Sequence, residues 1–235
     1  MADIPVIILA GGKGTRLQSV VSDRPKVLAE INGKPFLAYL LAQVVRHGFT
    51  QVIISTGYMA EQVEAALGHE FQGLRLAYSR EDSPLGTGGG VRLAMQRKPA
   101  PLYMVLNGDS YCNSNLTQYV AWFRQRKHMA SLLLARVDNT ERYGRVETDS
   151  LGNVTSFVEK GCACSPGDIN AGQYLLTPQS LHDPLGPAFS IEQEVFPLLL
   201  HKGLLGYSTK AEFIDIGTPE SYASAASFFS TLGRK

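Results

Sequence analysis

The sequence predicts an α/β fold, a single domain of 235 residues built on a doubly wound, mostly parallel sheet. Three observations point there. A short apolar run, Val6-Ile7-Ile8-Leu9-Ala10, stops at Gly11-Gly12, as a central strand covered on both faces does. Strand-like and helix-like segments then alternate at crossover spacing through the first half, which demands parallel pairing. The second half is richer in strands and closes on helices, so the sheet is mixed.

Each element follows from its own pattern. Phe36, Leu37, Leu40, Leu41, Val44 and Val45 recur at helical spacing, with Gly48 where a C-terminal cap belongs. Val52–Thr56 reads as a second strand, Ala60–Leu67 as a helix and Leu74–Ser79 as a third strand. Gly88–Gln96 reads as a helix, and Leu102–Leu106 as a fourth strand ending at Asn107-Gly108-Asp109. Ala130–Val137, Arg145–Thr148, Val154–Glu159 and Gln173–Thr177 are strand-like, with a hairpin turn at Leu151-Gly152-Asn153. Helices over Ile191–His201 and Pro219–Phe229 complete the chain. Tyr119, Trp122 and Phe123 share a helical face and belong to the core or to a subunit contact.

Composition excludes several classes. Twenty-two Lys+Arg against 21 Asp+Glu leave a net charge of +1, so no basic field is available to track nucleic acid. No apolar stretch reaches the roughly 18 residues of a membrane span. The start of the chain lacks the basic leader of a signal peptide. Cys112, Cys162 and Cys164 make no paired framework, and we expect a reducing, cytoplasmic setting. Cys162 and Cys164 read as loop thiols, since no histidine lies near them in sequence to complete a metal clip. His47, His69, His128, His182 and His201 fall outside every candidate motif and read as structural or surface residues.

Chemistry is expected beyond the carboxyl ends of the strands, where open α/β sheets bind ligands. The first such loop is Gly11-Gly12-Lys13-Gly14-Thr15-Arg16. Its glycines admit a phosphate close to the backbone amides, and Arg16 adds a charged fork. The loop is neither a Walker A motif nor the dinucleotide fingerprint, whose sixth position would be Gly. A dinucleotide-dependent dehydrogenase also lacks its acidic residue after the second strand, where Ser55-Thr56-Gly57 stands. Lys13 serves either a phosphate contact or solvent.

Together with Arg24-Pro25-Lys26, the stretch Leu9-Ala10-Gly11-Gly12-Lys13-Gly14-Thr15-Arg16-Leu17 resembles the signature of the sugar-phosphate nucleotidylyltransferases. The likeness continues at Asn107-Gly108-Asp109, Phe157-Val158-Glu159-Lys160, Asn170-Ala171-Gly172 and Phe213–Glu220. Within the family, Gln18–Val21, Pro84–Gly89, Arg142-Tyr143-Gly144 and Phe189–Glu192 resemble the guanylyltransferases acting on D-glycero-α-D-manno-heptose 1-phosphate. Ser110 departs from the Thr common after the aspartate, but keeps a hydroxyl.

The resemblance implies a three-layer α/β/α Rossmann-like fold of GT-A type, spanning residues 1–235. It places a nucleotide-binding half at 1–110 and a sugar-phosphate-binding half at 111–235. It implies transfer of a nucleoside monophosphate from an NTP, GTP foremost, to a sugar 1-phosphate, releasing pyrophosphate. The nucleotide is expected along Leu9, Ala10, Gly11, Gly12, Gly14 and Thr15, with its base at Leu85, Gly86, Thr87 and Gly88. Arg16, Lys26 and Asp109 are the expected catalytic residues, and Asp109 with Asp215 would hold Mg²⁺. Gly144, Glu159, Lys160, Asn170, Gly172 and Glu192 are expected on the sugar phosphate. Glu192 and Glu194 sit at a helix start, where a role toward the helix dipole competes.

A uridylyltransferase acting on N-acetylmuramate 1-phosphate and a guanylyltransferase acting on mannose 1-phosphate are the neighbouring alternatives. A non-catalytic sugar-nucleotide sensor is the alternative of another class; it would be expected to have lost Arg16, Lys26, Asp109, Lys160 or Asp215, and all are present. A homodimer is the expected assembly, and the product would feed a bacterial surface glycan.

Overall fold

A computed structural model describes residues 1, 3–158, 161, 165–182 and 186–233. Glu159, Lys160, Cys162 and Cys164 therefore lie outside the described residues. In chain order the elements are β1 (Val6–Leu9), β2 (Glu30–Ile31), β3 (Lys34–Pro35), α1 (Phe36–Arg46), β4 (Gln51–Thr56) and α2 (Ala60–Leu67). There follow β5 (Glu70–Phe71), β6 (Leu74–Arg80), α3 (Gly86–Arg97), β7 (Tyr103–Asn107), β8 (Ser110–Cys112) and α4 (Leu116–Arg124). The remainder comprises β9 (Ala130–Val137), β10 (Arg145–Thr148), β11 (Val154–Val158), β12 (Gly167–Leu176), α5 (Phe196–Leu199), β13 (Leu204–Thr209), β14 (Phe213–Asp215) and α6 (Pro219–Leu232).

One eight-stranded sheet, ordered β13-β9-β12-β7-β1-β4-β6-β5, draws strands from both halves of the chain. β7, β1, β4 and β6 are parallel neighbours, and β12 runs antiparallel to β7 and β9, so the sheet is mixed as expected. Alternate residues of the central strands bury on opposite faces. Val6 and Ile8 join Leu40 and Leu41 of α1, Val63 of α2, Tyr119 of α4 and Phe229 of α6 in one core. Ile7, Ile53 and Val105 join Val91 and Ala94 of α3 and Phe196 of α5 in the other. That two-sided burial explains why the strands read as continuous apolar runs and confirms the three layers.

The elements depart from expectation where tertiary contacts override local pattern. β12 begins at Gly167, six residues before the apolar run, because its polar first half still pairs with β9. The expected helix over 191–201 breaks into a π-helical turn (Ile191–Val195), α5 and a 3-10 turn (Leu200–Lys202), with Pro197 inside. β8 and β14 pair with each other outside the main sheet, and β10 and β11 form a separate ribbon. The ribbon's turn is as read: Gly152 takes φ +85°, and the Asp149 carboxylate accepts from the amides of Leu151 and Asn153. Tyr119 and Trp122 of α4 pack on Tyr207 of β13, with ring centroids 5.2 and 5.0 Å apart.

Two outcomes test this packing. Leu40→Ala empties a fully buried site and is expected to cost about 2–5 kcal/mol, read from denaturant unfolding. Cys112 is buried, and burial pushes its thiol up to about 12. Iodoacetamide at pH 7.5, followed by peptide mapping, is expected to leave Cys112 unmodified in the native protein and to label it in urea.

Candidate active site

The site forms beyond the carboxyl ends of β1, β4 and β7. Ala10 donates its amide to the Ser55 carbonyl (2.7 Å), and the Leu9 carbonyl accepts from the Gly108 amide (2.9 Å), locking three strand ends together. The chain then turns through Gly11–Gly14 into a 3-10 turn, Thr15–Leu17. Gly14 sits at φ +61°, a conformation that favours glycine, and Leu17 anchors the turn in the core. Gly12, Lys13, Thr15 and Arg16 are left exposed. Arg16 makes no ion pair among the described residues, so its guanidinium is available to an anion.

Lys26 opens a second 3-10 turn whose next residues, Val27 and Leu28, are buried. That anchoring aims the Lys26 ammonium at Asp109 Oδ2, with which it is ion-paired. Burial alone would raise the Asp109 carboxyl, but the Lys26 charge outweighs it and holds the group below the usual carboxylate range. Asp109 leads into β8, and β14 pairs antiparallel with β8, setting Asp215 opposite Ser110. The Ile216 amide donates to the Asp109 carbonyl (2.9 Å). Two carboxylates distant in sequence thus line one wall of a cavity of about 400 Å³. Asp215 is bound by Arg142 Nη2, by the Tyr143 hydroxyl (2.6 Å) and by the Gly217 amide (2.7 Å).

The donor set at this wall is all oxygen. Among the described residues no cluster of three His, Cys, Asp or Glu side chains exists. Two carboxylates without soft ligands suit Mg²⁺, which keeps waters and phosphate oxygens in its remaining positions. The residues present fit that ion.

Across the cavity, Tyr174 is the hub of a polar chain. Its hydroxyl accepts from Asn170 Nδ2 (3.0 Å) and donates to Glu192 Oε1 (3.1 Å), while Glu192 Oε2 accepts from Thr87 Oγ1 (2.7 Å). Burial and the Glu192 charge push the Tyr174 phenol far up, so it remains a donor. Asn170 Oδ1 accepts from the Gly172 amide (2.9 Å), and Asn107 Oδ1, which also lines the cavity, has no partner among the described residues. Glu194 turns away and accepts from the Ser190 amide (2.8 Å), which makes it a helix cap.

The expected residues therefore divide between two adjoining surfaces. Arg16, Asp109, Gly144, Asn170, Gly172, Glu192 and Asp215 line the cavity. Gly11, Gly12, Gly14 and Leu85–Gly88 lie outside it, and Glu81 links Gly11 to Leu85. Glu81 Oε2 accepts from the Leu85 amide (2.9 Å), and its Oε1 sits beside Gly11. Gly86, at φ +69°, presses against the Phe189 carbonyl, leaving no room for a side chain. Glu81, Asn107, Arg142, Tyr143 and Tyr174 escaped the sequence reading as site residues. Glu81 stands just beyond β6, at the same sheet edge as the glycine turn, and that position alone was the available signal.

Residues 5–231 match the family model described as Nucleotidyl transferase. The chain belongs to the nucleotidyl transferase family. Among curated members, it is 38% identical to the D-glycero-alpha-D-manno-heptose 1-phosphate guanylyltransferase of Aneurinibacillus thermoaerophilus, over 93% of this chain and 95% of that one. It is 35% identical to the mannose-1-phosphate guanylyltransferase of Mycobacterium tuberculosis, over 93% of this chain but 62% of that longer one. Among solved structures, HddC from Yersinia pseudotuberculosis complexed with GMP-PN superposes with a TM-score of 0.85 at 34% identity, over 96% of this chain and 99% of that one. For this nucleotidyl transferase the mixed sheet and its helices are thus the family's fold.

The Lys26–Asp109 pair makes a prediction with a definite sign. Because the folded carboxyl is depressed, its contribution is complete at neutral pH and is lost as pH falls through the folded value. Lys26→Met removes the compensating charge, so burial should raise the Asp109 carboxyl instead. The variant is expected to lose about 2 kcal/mol at pH 7 and less at pH 3, the loss shrinking as pH falls toward the depressed Asp109 value, measured by urea unfolding at both. An equal loss at the two pH values would contradict the pairing.

Proposed function

We propose that this nucleotidyl transferase moves GMP from GTP to a sugar 1-phosphate, with D-glycero-α-D-manno-heptose 1-phosphate as the preferred acceptor and Mg²⁺ as the cofactor. The observation that carries the reaction is the meeting of a glycine turn, Arg16 (without an ion pair among the described residues), Lys26 and two neighbouring aspartates at one sheet edge. An acceptor oxygen attacks the α-phosphorus, the bond from that phosphorus to the bridging oxygen breaks, and pyrophosphate departs. A phosphate monoester is already anionic near neutral pH, so no general base is needed. The chain's task is to hold two polyanions in line and balance charge as it moves.

In this reading the backbone from Leu9 through Thr15 cradles the nucleotide. Arg16 grips the triphosphate and the departing pyrophosphate, and Lys26 reaches the α-phosphate region. Asp109 and Asp215 would hold Mg²⁺, which neutralises phosphate charge when bound. Gly144, Asn170, Gly172 and Glu192 take the sugar, joined by Glu159 and Lys160. Residues 1–110 would then bind the nucleotide and 111–235 the sugar phosphate.

Glu81 supports guanine. Guanine offers adjacent N1–H and N2–H₂ donors, and a carboxylate is acceptor-only. Glu81 Oε1 stands beside Gly11 and accepts from Ser55 Oγ (3.4 Å), and Oε2 accepts from the Leu85 amide (2.9 Å), so each oxygen keeps a lone pair for a further donor. Uracil offers a single N3–H donor between two carbonyls, one hydrogen bond against guanine's adjacent pair, which favours GTP over the uridylyl reading with N-acetylmuramate 1-phosphate. Mannose 1-phosphate is the second acceptor, supported by the mannose-1-phosphate guanylyltransferases among the relatives. Among the described residues no helix is long and apolar enough to cross a membrane. We infer a cytoplasmic enzyme, with a homodimer as the assembly to be measured by light scattering.

The decisive experiment is pyrophosphate release with Mg²⁺, crossing GTP, UTP, CTP, ATP and dTTP against heptose-, mannose-, glucose- and N-acetylmuramate 1-phosphates. GTP with heptose 1-phosphate is expected to give the highest kcat/KM. A different preferred pair would discard the substrates proposed, and silence from folded protein would favour the sensor. Lys26→Ala and Asp109→Ala are each expected to lower kcat by roughly 10²–10³-fold. Glu81→Gln is expected to narrow the preference for GTP over UTP by about tenfold or more.

A further inference from the structure

Asp215 is held by more than its own strand. Arg142 Nη2 and the Gly217 amide both donate to Oδ1, and the Tyr143 hydroxyl donates to Oδ2 at 2.6 Å. The same Arg142 nitrogen donates to Ser221 Oγ (3.0 Å), in the first turn of α6, so Arg142 ties Asp215 to that helix. Neighbouring groups fix both side chains. The Arg142 guanidinium lies 5.1 Å from the Tyr143 ring centroid, and the Tyr143 ring meets Phe213 edge-on at 5.4 Å. Burial and the Asp215 carboxylate push the Tyr143 phenol up, so it stays a donor.

The two residues also sit where the other substrate is expected. Gly144 follows them at φ +76° and turns the chain into β10, and its amide donates to the Thr140 carbonyl (2.9 Å). Among the described residues β10 pairs with β11 in a two-stranded ribbon apart from the main sheet, and the loop that leads into it stands on Asp215 through Arg142 and Tyr143. Arg142, Tyr143, Gly144 and Asp215 all line the one cavity.

We propose that Arg142 and Tyr143 are positioning residues for the transfer: by clamping the Asp215 carboxylate to the loop that carries Gly144, they set the metal side and the sugar side of the cavity together. The inference rests on the reaction proposed above. It differs from ordinary packing in what it links. Loss of a packing contact lowers stability and leaves ligand constants alone. Loss of this clamp frees a metal-side carboxylate and an acceptor-side loop at once, and outer partners of metal ligands are typically worth 10–100-fold in metal affinity.

The test uses the full chain as wild type, Tyr143→Phe and Arg142→Lys. Mn²⁺ is titrated by electron paramagnetic resonance in the presence of a non-hydrolysable GTP analogue, and KM values for GTP and for the acceptor are taken from pyrophosphate release. Tyr143→Phe is expected to weaken Mn²⁺ retention by about tenfold or more. It should raise the acceptor KM several-fold, with the GTP KM held within twofold. Arg142→Lys should move both quantities in the same direction. A folded Tyr143→Phe protein with wild-type Mn²⁺ affinity, or with only one of the two constants shifted, overturns the clamp. Should Arg142→Lys fail to fold, Tyr143→Phe, which removes a single oxygen, decides the matter. Wild-type protein that neither retains Mn²⁺ nor releases pyrophosphate overturns the proposed reaction instead, which separates the two failures.

Discussion

The short pairing of β8 with β14 is the constraint on which the site depends. Three residues on each side bring Asp215 level with Ser110, and the Ile216 amide ties directly to the Asp109 carbonyl. Neither strand belongs to the main sheet, so their placement rests on what surrounds them. α6 follows β14 and lays Phe229 on Tyr39 of α1, with ring centroids 3.8 Å apart, while the Tyr222 hydroxyl donates to the Glu30 carbonyl (2.7 Å). The C-terminal helix is therefore part of the geometry of the aspartates, although it contributes no side chain to the cavity lining.

Charge is arranged with the same economy. Each aspartate meets one cation, Lys26 on Asp109 and Arg142 on Asp215, while Arg16 makes no such pair among the described residues. Opposite them, neutral groups dominate: Asn107, Asn170 and Tyr174 line the floor and far wall, with Glu192 the single carboxylate there among the described residues. A cavity that is ionic on one wall and hydrogen-bonding on the other suits a ligand with a phosphate at one end and hydroxyls at the other.

Much of this was legible in the residues. The central strands announced themselves because burial on both faces forces consecutive apolar residues, as in Val6–Leu9 and Tyr103–Leu106. The glycine turn and Lys26 stood in one long signature, and each aspartate in its own short matching segment, Asn107–Asp109 and Phe213–Glu220. What escaped was decided by long-range contact. β8 and β14 are three residues each, too short for any periodicity to register, and their partners lie about a hundred positions apart. The polar start of β12 is a strand only because β9 pairs with it. Glu81 and Tyr174 look like an exposed acid and a core aromatic until the fold brings Gly11 to one and Glu192 to the other. Arg142 and Tyr143 were in view beside Gly144, but nothing local says that they reach Asp215.

α3 opens with four glycines in its first five residues: Gly86, Gly88 and Gly89 pack under Phe189 and its neighbours, and Gly90 against Glu81 and Ser55. Each costs the helix about 1 kcal/mol of intrinsic propensity relative to alanine. The first turn of α3 is thus sustained by a loop that arrives from the far end of the chain, through the Gly88 amide on the Phe189 carbonyl and the Phe189 amide on the Leu85 carbonyl (both 2.9 Å). Any opening of that loop would therefore also release the first turn of α3, coupling the two as one local unit. A ligand seated there would bind more weakly than its contacts imply by whatever fraction of molecules have that turn undone, and protection of those amides from solvent deuterium should rise on occupancy.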